Sequence, residues 1–239
     1  MIHFSIDQWS AWAPGLEHQD AWRAWCGQPH AVVDNLDAQP DVSFLPAMQR
    51  RRLSRLARMA FHVAWPLADA HGPLPMVFVS RHGETPRTLA ILSDLAHDEP
   101  LSPTQFSLSV HNAIIGLWSI QRGDTSEMTA LAAEGDGLEH GLLEAATLLG
   151  EGAPAVLLVV AEELPPALYS AYIDDVPFAY AVALLLTPGS DWQLQLTQGN
   201  GPRATWPHAL NLVRALCAEQ PYLQHHWKNR QWNWSRSTA

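Results

Sequence analysis

Lysine is almost missing from this chain. Among 239 residues there is one, Lys228, against 13 arginines. Charged residues of all kinds make up only 16%, and acids outnumber bases 24 to 14, for a formal net charge of −10. Low charge combined with 47% apolar residues argues against a disordered chain. The acidic balance argues against sequence-independent binding to nucleic acid, which needs basic groups to replace phosphate counterions. Cysteine is scarce as well. Cys26 and Cys217 are too few for a disulfide scaffold and fit a reducing, cytoplasmic setting. Long apolar runs are lacking: Ala153–Ala161 and Ala179–Leu186 fall well short of the ~20 residues a membrane span needs. The first residues show no basic segment followed by an apolar one, so no secretion signal is expected. No Cys-x-x-Cys or His-x-x-x-His spacing occurs, and His225-His226 are adjacent and must point apart, so no metal is expected. Gly-x-Ser-x-Gly and a Walker loop are also missing, which leaves hydrolase-elbow and nucleotide readings without support. No cofactor is expected.

What is abundant is tryptophan, with 11 copies. Tryptophan and arginine are enriched at interface hot spots. A GC-rich genome raises Arg, Ala, Pro, Gly and Trp together, so composition alone does not decide between the two explanations.

Hydrophobic periodicity gives the organisation. Ile2–Ser5 alternates as a strand does, and Trp9, Trp12, Trp22 and Trp25 follow in a loop and a short helix. Asp34–Ser43 reads as a polar connection. A helix is predicted from near Pro46, with Leu53, Leu56, Ala60, Val63 and Leu67 on one face and Arg51, Arg55 and Arg58 opposite. Pro66 is expected to kink or end it. Pro75–Ser80 reads as a buried strand, Thr85–Ala96 as a helix, and Phe106–Ile120 as one further helix. Met128–Ala133 reads as a strand. Asp136-Gly-Leu-Glu139 has the form of a capping box opening a helix to about Leu149. Ala153–Ala161 is a buried strand. Phe178–Leu186 and Trp192–Thr197 flank Pro188-Gly-Ser and read as a hairpin. Pro207–Ala218 is helical, with Cys217 near its end, where the helix dipole disfavours a thiolate; Cys26 ends the short helix near the N-terminus. Neither cysteine reads as a nucleophile. Strands alternating with helices predict an α/β fold, a layered mixed sheet flanked by helices. No linker or repeat divides the chain, so residues 1–239 are expected to form a single domain. Residues 219–239 form a Trp-rich tail with Trp227, Trp232 and Trp234, too short to fold alone.

Two motifs carry chemistry. Arg81-His82-Gly83-Glu84-Thr85 directly follows the strand MVFVS and resembles the signature of histidine phosphatases. That resemblance implies His82 as the phosphorylated residue, Arg81 as a phosphate ligand and His140 as a second histidine. However, the family motif belongs on the first strand, near the N-terminus, and His140 falls inside a predicted helix.

The longer pattern is Ser102-Pro-Thr-Gln-Phe-Ser-Leu-Ser-Val-His-Asn-Ala-Ile-Ile-Gly-Leu-Trp-Ser-Ile120, which resembles a segment of β-ketoacyl synthases. The order of elements over roughly residues 1–185 resembles the same family. The resemblance implies a thiolase-like half-fold. It implies that Phe106, Ser109, Val110, His111, Asn112, Ala113 and Ile114 line an acyl tunnel or a subunit interface, with helix-core packing as the plain alternative. It also places the family's nucleophile position at about Gly135, in the sequence Ala-Ala-Glu-Gly-Asp-Gly. No Cys, Ser or Thr stands there, and thioester exchange requires such a nucleophile. A whole ketosynthase is roughly twice as long, and its second half carries two histidines without counterpart here. The pattern therefore resembles the chain-length-factor-like proteins of aryl polyene clusters. The implied role is a non-catalytic subunit that pairs with a full-length ketosynthase and walls its acyl tunnel. Acyl carrier proteins are acidic, so Arg51, Arg55 and Arg58 are candidate docking residues, against the simpler reading of a solvated helix face. A free-standing carrier-binding module is a third reading.

Overall fold

The computed structural model describes residues 1–33 and 38–237; part of the expected connection Asp34–Ser43 thus lies outside the described residues. The middle of the chain is a parallel unit. Strand β2 (Met76–Val79) pairs in parallel with β3 (Met128–Leu131) on one side and β4 (Val156–Glu162) on the other. Beyond β4 the sheet turns antiparallel. Strand β5 (Tyr180–Gln198) pairs with β4, with β1 (Ile2–Trp12) and with β7 (Arg230–Arg236), and β6 (Tyr222–Trp227) closes the far end on β7.

Side-chain alternation along apolar strands divides the interior into two cores. Val77, Val79, Leu158 and Val160 face α7 (Gly137–Gly150), α8 (His208–Cys217) and α1 (Gln19–Gly27). Met76, Phe78, Leu157 and Val159 face α3 (Arg55–Asp69) and α6 (Ala113–Arg122). On that second face β5 presents Ala181 and Ala183, small residues that let α3 lie close. Among the described residues no helix is long and apolar enough to cross a membrane.

Several local expectations need correction. The helix predicted from Pro46 is broken. A single turn, α2 (Ala47–Arg50), ends before Ser54, whose hydroxyl accepts from the Ala57 amide and caps α3. Arg51 therefore lies outside α3. Pro66 does not end α3, which runs on to Asp69; the proline costs the helix one backbone bond, its own N–H, and the packed apolar face carries the helix past it. Trp9 and Trp12 lie in β1, which is longer than expected. The stretch Phe106–Ile120 is two helices, α5 (Pro103–Ser107) and α6, divided by a turn. Pro188-Gly-Ser is no hairpin. β5 runs straight through it, because β1 steps from Ser5 opposite Thr187 to Phe4 opposite Trp192, leaving four β5 residues as a bulge. Gly189 sits against Ser5 there, where a Cβ would come within 2.0 Å of its hydroxyl. The Trp-rich tail is part of the sheet: β6 and β7 form a hairpin continuous with it, and Trp232 and Trp234 are fully buried.

Candidate functional site

The turn from β3 into α7 holds Glu134, Gly135 and Asp136. It contains no thiol or hydroxyl, and a side chain could not be added without rearrangement. A Cβ built on Gly135 would lie 2.2 Å from the ring of Trp227, well inside contact distance. Two guanidiniums lie over Trp227. The guanidiniums of Arg81 and Arg203 lie 5.4 and 4.9 Å from its ring centre, a cation–π arrangement. Asp175 pairs with Arg81 at 2.5 Å and Asp174 with Arg203 at 3.1 Å. Next to this assembly is a cleft of about 290 Å³ lined by Gly135, Trp227, Arg81, Arg203, Glu162 and His208, among others.

The acids opening α7 do not cap the helix, so the expected capping box is absent: the Asp136 side chain makes no cap bond. Each acid is instead bound by a different indole of the C-terminal hairpin. Trp227 Nε1 donates to Glu134 at 3.0 Å, Trp232 Nε1 to Asp136 at 3.0 Å, and Trp234 Nε1 to Glu139 at 3.3 Å. Arg230 spans Glu134 and Asp136, at 2.9 and 2.6 Å, and Lys228 completes the Glu134 set. Hydrogen bonds from Lys228, Arg230 and Trp227 hold the Glu134 carboxyl down to about 2. The same two carboxylates raise Arg230 above its ordinary value.

Glu139 is fully buried and bridges two imidazoles. His208 Nδ1 lies 2.8 Å and His225 Nδ1 2.6 Å from its two oxygens, and the rings stack 4.1 Å apart. Burial opposes the Glu139 charge, but the imidazoles outweigh it and hold the carboxyl below its ordinary range. Burial would lower His208, yet Glu139 raises it on balance; His225 is lowered, burial prevailing over Glu139. The shared carboxylate thus favours a proton on His208 over one on His225. The three residues have a metal-site composition, with ligand atoms within 4.8 Å of one another. The geometry argues otherwise. Both Nδ1 atoms are hydrogen-bonded to the Glu139 carboxylate itself, which occupies the atoms an ion would take. The Trp234 N–H also points at the same carboxylate.

A second buried acid borders the cleft. Glu162 accepts from the amides of Arg81 and His82 and from the Ser80 hydroxyl, yet burial still pushes it up to about 7. Asp175 is opposed by burial, but His82 and Arg81 prevail and lower it to about 2.

The phosphatase reading is corrected by these contacts. His82 Nε2 is paired with Asp175 at 2.9 Å, and Arg81 is paired with the same carboxylate. His140 lies on α7, bonded to the Asp136 carbonyl and packed against Trp232. The two histidines have separate partners, and neither lines the cleft.

The other predicted residues are dispersed. Phe106 is 63% exposed on α5 and Val110 41% exposed in the turn after it. Asn112 is exposed, while Ser109 and Ala113 are half-buried. Ser109 donates to the Phe106 carbonyl. His111 donates to the Ser80 carbonyl at 2.7 Å, fixing the turn against the end of β2. Ile114 is in the α3–α6 core. Arg51 is exposed, Arg55 lies over the Trp12 ring at 6.0 Å, and Arg58 donates to the Arg50 carbonyl. They do not form one stripe. Trp227, Glu139, His208 and His225 were not singled out as site residues. The polar–aromatic alternation Gln231-Trp-Asn-Trp-Ser235 was the available signal, since it marks a strand with one inward face.

The family profile for the β-ketoacyl synthase N-terminal domain matches residues 22–235, nearly the whole chain. The chain belongs to the β-ketoacyl synthase N-terminal domain family. This ketosynthase-like chain is 32% identical to a chain in the structure of a ketosynthase (ApeO) in complex with its chain length factor (ApeC) from Xenorhabdus doucetiae. The match covers 99% of this chain and 100% of that one, with a TM-score of 0.89. Two more distant structures show the shared thiolase-like ketosynthase fold. One is the ishigamide ketosynthase/chain length factor, at 16% identity and TM-score 0.64 over 82% of this chain and 67% of that one. The other is an AntDE:AntF complex of a type II acyl-carrier protein with its ketosynthase, at 10% identity and TM-score 0.71 over 99% and 100%. No curated protein sequence matches.

Proposed function

We propose that this chain is a non-catalytic ketosynthase-like subunit that pairs with a full-length β-ketoacyl carrier-protein synthase and shapes its acyl tunnel in aryl polyene or polyketide elongation. The observation that carries this reading is the turn at Gly135. A member of a ketosynthase family has there no group able to take an acyl chain, and its own Trp227 occupies the adjoining space. Such a chain contributes to condensation through a partner.

The surface supports the same reading. Helices α4 (Thr85–Ala96) and α5 bury none of their own residues, yet carry Leu92, Leu95 and Phe106, with Leu101 between them, all exposed. An apolar arm of this kind needs a cover. Strand β3 has a free edge, hydrogen-bonded only to β2 among the described residues, and is able to extend the sheet into a second subunit. Phe106 and Val110 are the residues we assign to the interface. Arg51 and Arg58 remain candidates for acidic carrier docking, with Arg55 partly committed to Trp12. Residues 1–239 function as one domain in the cytoplasm on this reading.

The test is a tagged pull-down from the native host with size-exclusion chromatography and mass spectrometry. A stoichiometric complex with a ketosynthase that carries its own Cys and two His is expected. A solitary protein, or carrier capture without a ketosynthase, overturns the reading.

A further inference from the structure

We propose that the β6–β7 hairpin is a built-in plug: Trp227 fills the space over Gly135 and thereby denies the pocket at the start of α7 to any acyl thioester. This inference rests on the non-catalytic reading and supplies its physical means.

Loss of a nucleophile alone would leave an open pocket, free to bind acyl chains and compete with the partner's tunnel. The hairpin removes that option. The six-membered ring of Trp227 lies where the first atom of a residue-135 side chain would be, with three ring carbons between 2.2 and 2.6 Å from that point. The ring cannot drift, because its N–H is bonded to Glu134, and Arg81 and Arg203 lie over it. The hairpin behind it is anchored at two further points: Arg230 and Trp232 on Asp136, and His225 and Trp234 on Glu139. These bonds join residues 86 to 96 positions apart to a six-residue segment, Glu134–Glu139. The plug therefore attaches to the very turn it closes. The remaining cleft lies beside the plug; the Arg81–Asp175 and Arg203–Asp174 pairs line it together with apolar groups such as Leu138, Val160 and Trp206.

Size exchange tests the plug directly. Gly135→Cys alone should lower the melting temperature, since the new side chain meets Trp227. Adding Trp227→Ala should restore most of it. In the double variant the new thiol has the helix N-terminus to favour its thiolate. It should be alkylated by iodoacetamide at least tenfold faster than in Gly135→Cys, by peptide mass spectrometry that separates it from Cys26 and Cys217. It should also be acylated by an acyl-pantetheine thioester: the Cys sulfur bonds the carbonyl carbon, the carbon–sulfur bond to pantetheine breaks, and pantetheine leaves as the thiol after taking the released proton. Where Gly135→Cys fails to fold, the double variant and Trp227→Ala are compared alone. Trp227→Ala should then bind a non-hydrolysable alkyl-pantetheine that wild type does not. No thermal rescue, or labelling and binding unchanged by Trp227→Ala, overturns the plug. Association with the ketosynthase is read separately on the same samples. If wild type never associates, the subunit reading fails while the size-exchange result still stands.

Discussion

His208 and His225 stack face to face, 4.1 Å apart, and share the two oxygens of one buried carboxylate, Glu139. Two parallel imidazoles cannot both be charged at that distance inside a protein. The cluster is a proton-sharing clasp that ties α7, α8 and β6 together. Replacing Glu139 with Leu removes the partner of both buried imidazoles and leaves their Nδ1 atoms unpaired in the core. A loss of roughly 3–5 kcal/mol is expected in urea titrations, the scale for breaking a buried pair from one side. A loss under about 1 kcal/mol would show the clasp to be dispensable.

The same clasp sets a pH optimum. His208 has a raised folded pKa, so its stabilisation is complete below 6.5 and fades as pH rises through that raised value. His225 is lowered, so the unfolded chain takes up its proton first and stability falls as pH drops below 6.5. Glu139 adds to the acid side, since its depressed carboxyl loses its contribution below about 4.5. Melting temperatures across pH 5 to 8 should pass through a maximum. His225→Gln should flatten the limb just below 6.5 without altering the alkaline one.

Glu162 acts with the opposite sign. Its folded carboxyl, at about 7, binds a proton that the unfolded one has released above 4.5, so stability declines between those values as pH rises. A shift of that size corresponds to about 3 kcal/mol. Glu162→Gln removes the titration and keeps an acceptor for the Arg81 amide. The difference in unfolding free energy between variant and wild type should favour the variant more at pH 8 than at pH 5. Parallel profiles would rule out the buried acid as the cause.

Phe106 and Val110 are exposed in the isolated chain, so charging them should spare its fold. Phe106→Asp with Val110→Asp is expected to weaken association with the ketosynthase at least tenfold, by sedimentation or calorimetry, with the melting temperature within about 2 °C of wild type. Unchanged association would move the interface elsewhere.

Much of the sheet was legible because β2, β4 and the first half of β5 are continuous apolar runs, which only a covered strand carries. The hairpin error at Pro188 has a clear cause. Turn residues also suit a bulge, and only the partner strand β1, nearly 190 positions away in sequence, distinguishes the two. The sequence shows that the turn around Gly135 has no thiol or hydroxyl, but the packing of Trp227 on it was not legible. Asp136-Gly-Leu-Glu139 looked like a local capping box because acids at that spacing usually serve the helix they open. Here they serve strands some ninety residues later, and no local pattern encodes that. His225-His226 were rightly read as pointing apart: the first turns into the core and the second stays half-exposed.

The distance in sequence between the α7 acids and the hairpin has a consequence during synthesis. Glu134, Asp136 and Glu139 leave the ribosome some ninety residues ahead of Lys228, Arg230 and the three indoles that bind them. At roughly 5–20 residues per second, that is several seconds in which the nascent chain carries three unmatched carboxylates at the helix destined for its centre. The apolar face of α7 can settle on β2 and β4 earlier, but its acids find their partners only once the hairpin emerges. The start of α7 therefore stays hydrated until residue 234 has been added, and the turn at Gly135 takes its final form last.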